Sequence, residues 1–195
     1  ENHSLLSFGR FDQYMERFWE TCPPDEAEDL LHCVLIKLND QADIRQGEGH
    51  YGSDNLMLSG LKPDGHDATN AVTWACLDAL DRLRLPNPMF NMRLHQYSPT
   101  DLLRRACDLA TQGLGQLAFH NDDAVVPALC GAGFPEESAR DYALDACQDI
   151  LIDGRSDFFL GGHFSMTDLL LKTLETLDDR VNFDALMAAY RHEIS

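Results

Sequence analysis

In the stretch DYALDACQDIL, residues 141–151, a single cysteine, Cys147, stands between two acids, Asp145 and Asp149. A thiol so placed has three uses. It can pack as a small hydrophobe. It can attack as a thiolate, which requires a cationic neighbour to lower its pKa. It can also pass a hydrogen atom, losing H• to become an uncharged thiyl radical. The flanking carboxylates work against the thiolate, because they disfavour a further negative charge. They leave hydrogen-atom transfer untouched, since no net charge changes.

Other chemistry-bearing side chains stand at the ends of apolar runs. His95 follows MFNMRL, and His120, Asn121 and Asp122 follow LAF. Each pattern is that of a short strand ending in polar groups, and these four are candidate substrate-binding residues. The eight histidines have no HxH, HExxH or i, i+4 spacing, so no metal site is expected. No GxGxxG, GxxxxGK[ST] or GxSxG signature follows a strand. Phe158, Phe159 and Phe164 near GGH are read as core by default, with the lining of a pocket as the alternative.

The elements that must position these groups follow from apolar spacing. Residues 23–40 predict a helix, with Leu30, Leu31, Val34, Leu35 and Leu38 on one face. A polar loop, 41–55, leads to a short strand, 55–61, and a turn, KPDGHD. A second helix spans 68–85, with Val72, Ala75, Cys76, Ala79, Leu80 and Leu83 sharing a face. A strand, 89–95, precedes a helix, 98–113, with Ser98 as its cap, Pro99 first and Gly113 as its stop. A strand over 116–121 is followed by a helix, 123–134, that contains Pro127. PEESARDYA starts another helix, which runs into YALDAC. Two helices end the chain, one capped by Ser165 and one starting near Asn182. Alternation of strand and helix from 55 to 147 implies an α/β fold of parallel strands with crossover helices. In such folds functional groups gather beyond the C-terminal ends of strands, where His95, His120 and Cys147 all fall.

The 195 residues are enough for one domain, and the whole chain is read as one. Fifteen basic against 33 acidic residues give a net charge of −18, which repels phosphate backbones and anionic lipid. Neither nucleic-acid nor membrane binding is expected. The six cysteines form no CxxC pair, so reduced thiols in the cytoplasm are the better reading than a disulfide framework. The first residue is Glu1 rather than Met, which suggests a piece of a larger polypeptide.

Several segments in order resemble the glycyl radical enzymes, the pyruvate formate-lyase-like group. FGRFDQYMERFW resembles GRxDQYxxPF, and LLHCVLIKLND is similar to a leucine-rich helix ending in KLN. NLMLSGLKPDGHDATN resembles NxxLGGxxxDGxDAxNE. The run from LDRLRLPNP to VVPAL is similar to LPxPxxxxRxHxxTPxxLLxxAxxLxxxGxGxPxFxND, and RDYALDACQD to RDYxxxGCVE. The resemblance covers about residues 8–150. It implies part of a ten-stranded α/β barrel of the pyruvate formate-lyase type. It implies that Cys147 carries a thiyl radical and that Asp149 moves protons. It also implies anaerobic dehydratase or lyase chemistry on a small polar substrate. No cofactor is then bound directly: an activating enzyme with S-adenosylmethionine and an iron–sulfur cluster installs the radical on a glycine. Gln148, where pyruvate formate-lyase has a second cysteine, points to the eliminase, dehydratase or decarboxylase branch.

The family's radical glycine lies in an RVxGY-type motif near the C-terminus of a chain several times longer; RVNFD, 180–184, has no such glycine, and GGHF carries Phe164 where dehydratases have an acid. The expectation is therefore a partial chain that needs a glycyl radical domain or partner subunit and self-associates. The alternative is a non-catalytic relative that binds a small molecule or another subunit.

Overall fold

In the computed structural model, residues 7–41, 54–114, 116–145, 148–152, 154–156, 165–177 and 182–194 are described. They belong to two compact units, Glu1–Phe158 and Phe159–Ser195. Cys147, Ala146, Phe158, Phe159, Phe164 and most of the 41–55 loop lie outside the described residues.

The first unit is built on a parallel sheet of three strands, β1 (Asn55–Ser59), β2 (Met89–Leu94) and β3 (Leu117–Asn121), in that order. Met57 pairs with Asn91, and Arg93 with His120. Parallel neighbours need crossovers, and helices supply them: α3 (Ala71–Leu83) between β1 and β2, and α4 (Thr100–Thr111) between β2 and β3. Two helices precede the sheet, α1 (Phe11–Trp19) and α2 (Pro24–Gln41).

Alternation along the strands separates two faces. Leu56, Leu58, Phe90 and Met92 point to the helices and share a core with Leu31, Leu35, Cys76, Leu77, Leu80, Leu102 and Leu109. On α2 the apolar face is narrower than its pattern: Leu31, Leu35 and Leu38 are buried, whereas Leu30 and Val34 are exposed. The opposite face of the sheet carries Asn55, Ser59, Asn91, Arg93 and His120. Polar groups on a buried face must find partners, and here they do so across strands.

Helices α5 (Asp122–Gly131) and α6 (Glu136–Arg140) lead to a separate antiparallel pair, β4 (Tyr142–Asp145) and β5 (Asp149–Ile152). Alternation predicted that the strand before Cys147 would be another parallel member. Instead β4 pairs with β5, Tyr142 opposite Ile152 and Asp145 opposite Asp149. Three residues between strand ends are too few for a crossover but suffice for a hairpin. Tyr142, Ala143, Leu144 and Ile152 form a second core with Met57, Val126 and Ala139.

The helix predicted from PEESARDYA is only Glu136–Arg140, because Tyr142 already belongs to β4. Ser98 does not cap α4. Its hydroxyl accepts from the His95 amide, and Pro99 takes the cap position without a side-chain bond.

The second unit is a helix pair, α7 (Met166–Thr176) and α8 (Phe183–Ile194), with the Tyr190 hydroxyl donating to the Met166 carbonyl. Ser165 caps α7 by accepting from the Asp168 amide, and Asn182 accepts from the Ala185 amide at the start of α8, as the spacing predicted.

Candidate active-site hairpin and its clamp

Among the described residues Arg93 is the largest fully buried side chain, and its guanidinium organises this part of the molecule. Nε and Nη2 donate to the two oxygens of Asp122 at 2.9 and 2.8 Å. Nη1 donates to the Tyr142 carbonyl at 3.0 Å and Nη2 to the Arg140 carbonyl at 2.6 Å. The guanidinium carbon lies 3.9 Å from the centre of the Tyr142 ring. A buried charge is tolerated only when paired and saturated with hydrogen bonds, and this one is.

Asp122 is equally committed. Besides Arg93 it accepts from the Tyr142 hydroxyl at 2.8 Å and the Leu61 amide at 2.7 Å, so two oxygens take four donors. Burial, with the Asp122 carboxylate beside it, pushes the Tyr142 phenol far above its ordinary pKa, so it remains a donor.

Arg10 reinforces the same corner. It donates to the Ser59 and Arg140 carbonyls and pairs with Asp141 at 3.1 Å. Asp12 accepts from the Ser59 amide and the Thr73 hydroxyl, both at 2.6 Å. The chain turns sharply there, with Ser59 and Gly60 at φ of 57° and 85°. A Cβ on Gly60 would sit 2.6 Å from Arg93 Cβ and 2.7 Å from Asp122 Oδ2. Only glycine lets the backbone pass so close to the ion pair.

The residues singled out from sequence are distributed as follows. Asp149 is exposed at the first position of β5, its Cα paired with that of Asp145. Asp145 has a buried, unpartnered Oδ1, and its carbonyl accepts from the Gln148 amide. Cys147 falls between these two strand ends in the chain.

His120 lies on the polar face. The Asn91 amide nitrogen donates to Asn55 at 2.8 Å, which leaves the Asn91 oxygen to accept from His120 Nε2 at 3.1 Å. Burial, aided by Arg93, lowers the His120 pKa, so the ring is neutral and Nδ1 remains an acceptor. Asn121 uses its side-chain oxygen to cap α5 through the Asp123 amide. Asp122 is filled by the clamp and has no acceptor site left for a ligand. In His95, Nδ1 accepts from the Tyr97 amide and Nε2 donates to Asp67 at 2.8 Å, so both nitrogens are engaged. The four residues expected to meet substrate therefore do not form one constellation; His120 alone keeps a free ring position.

Arg93, Asp12, Gly60 and Tyr142 were not singled out from sequence. One signal was available: an arginine inside the apolar strand MFNMRL implies an acid on a neighbouring strand end.

The pyruvate formate lyase-like family profile matches residues 1–192. The chain belongs to the pyruvate formate lyase-like family. It is 29% identical over 187 residues to the trans-4-hydroxy-L-proline dehydratase of Clostridioides difficile, covering 89% of this chain and 24% of that protein. It is 28% identical over 174 residues to the isethionate sulfite-lyase of Nitratidesulfovibrio vulgaris, 83% of this chain and 21% of that one. Among solved structures, the glycerol-bound B12-independent glycerol dehydratase of Clostridium butyricum superposes with a TM-score of 0.82 at 30% identity, over 96% of this chain and 27% of that one. The chain thus spans about a quarter of the length of these relatives. These relatives are glycyl radical dehydratases and lyases, and the α/β architecture here is a fragment of their fold. Among the described residues no helix is long and apolar enough to cross a membrane.

Proposed function

We propose that these residues are the part of a glycyl radical dehydratase or lyase that carries the hydrogen-transferring thiol, Cys147. The observation that carries the reading is the β4–β5 hairpin: its strand ends bring Asp145 and Asp149 opposite each other on either side of Cys147 in sequence. The family relation supplies the chemistry. A glycine radical, on a segment other than RVNFD, takes a hydrogen atom from the Cys147 thiol. The S–H bond breaks, a glycine Cα–H bond forms, and the unpaired electron moves to sulfur. The sulfur radical then removes hydrogen from a substrate carbon, forming S–H again and leaving the radical on substrate. No charge crosses in either transfer, so the two nearby acids impose no electrostatic penalty on the thiol.

Asp149 is the proton-transfer group, taking or giving a proton as the leaving group departs. It is one methylene shorter than the glutamate of the RDYxxxGCVE pattern, so it suits a substrate that lies closer to the hairpin. His120, neutral with Nδ1 open on the polar face, is the remaining candidate to accept from a substrate hydroxyl. The radical is installed by an S-adenosylmethionine-dependent iron–sulfur activating enzyme, and the substrate is a small polar molecule.

The test uses the full-length protein containing these residues, activated without oxygen. Cys147→Ala should retain the glycyl EPR doublet and lose all turnover. Retained turnover would sink the assignment.

A further inference from the structure

We propose that Arg93 is a positioning residue for Cys147: its fork on Asp122 and its bonds to the Arg140 and Tyr142 carbonyls set where the thiol hairpin stands. The proposal rests on the reading of Cys147 as the hydrogen carrier and adds the device that aims it.

Among the described residues strand β4 pairs with β5 and not with β1, β2 or β3, so no ladder there fixes it against the parallel sheet. What crosses from the sheet to the strand is side-chain contact: Met57 of β1 packs with Tyr142, Ala143 and Leu144, and the directed part is polar. Arg93, on the central strand, grips carbonyls 140 and 142, at and just before the start of β4. The same guanidinium lies against the Tyr142 ring, and the Tyr142 hydroxyl returns to Asp122. Further along β4 the Ser7 hydroxyl donates to the Leu144 carbonyl. From Tyr142 the strand runs to Asp145, two residues short of Cys147.

Stability alone does not require an ion pair here. Well-packed apolar residues often replace a buried pair without loss. A planar fork with fixed donor directions supplies something apolar packing does not, namely a defined direction and register for the strand it holds. Hydrogen-atom transfer needs that definition, because reacting atoms must approach within about 3–3.5 Å and a misplacement of about 1 Å can cost about 100-fold. Lysine at this position keeps the charge but has no fork, so it cannot hold Asp122 and both carbonyls in the same plane.

The experiment compares full-length wild type, Arg93→Lys and the milder Tyr142→Phe, which removes only the hydroxyl bond to Asp122, after anaerobic activation. Three quantities are read: glycyl spin content, kcat against KM, and the collapse of the EPR doublet in D2O. The last reports solvent deuterium reaching the glycine through the exchangeable thiol. Arg93→Lys should keep its spin content and lower kcat about 10-fold to 100-fold. Its KM should stay within about twofold, and doublet collapse should slow in parallel with kcat. Tyr142→Phe should do the same to a smaller extent, and it serves if the lysine variant does not fold. Folded variants with kcat and deuterium entry both within about twofold of wild type would overturn the proposal. So would a fall in kcat with unchanged deuterium entry, since the thiol would then still be in place. A Cys147→Ala control that still turned over would instead remove the radical-carrier reading and this inference with it.

Discussion

Replacing Gly60 with alanine tests the clamp without any catalytic assay. Two costs add at this position. The backbone φ is 85°, a region where a Cβ costs about 1–2 kcal/mol. The new methyl would also lie 2.6 Å from Arg93 Cβ, 2.7 Å from Arg93 Nε and 2.7 Å from Asp122 Oδ2. None of these can give way without opening the ion pair, and overpacking of this kind costs about 1–3 kcal/mol. The expected loss is therefore about 2–5 kcal/mol, a large share of a typical domain stability of about 5–15 kcal/mol. Gly113→Ala isolates the first cost: its φ is 78° and nothing lies within 4 Å of its added Cβ. Urea unfolding followed by circular dichroism measures both. At a slope of about 2 kcal/mol per molar urea, a loss of 3 kcal/mol moves the midpoint down by about 1.5 M. Equal losses for the two variants would show that the ion pair does not fill the space beside Gly60, and the reasoning about the clamp would fail.

Two further outcomes concern pH. Burial raises the Asp12 pKa above the ordinary carboxylate value, while hydrogen bonds from Thr73, Ser59 and Gln13 pull the other way. A raised folded pKa means that folding favours the protonated form relative to the unfolded chain, so its contribution is full below the unfolded value of about 3.9 and is lost as pH rises through the folded value. Wild type should accordingly lose stability relative to Asp12→Asn between about pH 4 and pH 7 in paired urea titrations; a gap that widens in favour of wild type refutes this. His120 shifts the other way, lowered first by burial and then by Arg93. Its stabilising contribution is full above the unfolded value of about 6.5 and is lost as pH falls toward the lowered folded value. An NMR titration should place the His120 midpoint below about 6.5, and a midpoint at or above it contradicts the half-buried position beside Arg93.

Much of the secondary structure was readable because it is local. The apolar repeat of Val72, Cys76, Ala79 and Leu80 marks α3, and the caps Ser165 and Asn182 mark two helix starts within three residues of the amides they hold. The three parallel strands followed from short apolar runs separated by helical ones. The antiparallel β4–β5 pair did not follow, because an apolar run such as YALD carries no record of which strand it will meet. Strand β5 was missed for the same reason: DILI reads as a strand only once β4 is beside it.

The chemistry-bearing types and their order along the chain, from His95 to Cys147 and Asp149, were a property of the sequence, as was the electrostatic argument against a thiolate between two acids. Their grouping was decided by tertiary structure. Asp122, read as a ligand group, spends every acceptor site on Arg93, Tyr142 and Leu61, and His95 is held by Asp67 and Tyr97. Arg93 and Asp122 are 29 residues apart in the chain and 2.8 Å apart in space. Strand register and the Gly60 turn bring them together, and a buried charge takes whichever partner the packing supplies, because leaving it unpaired costs more than any local preference can return.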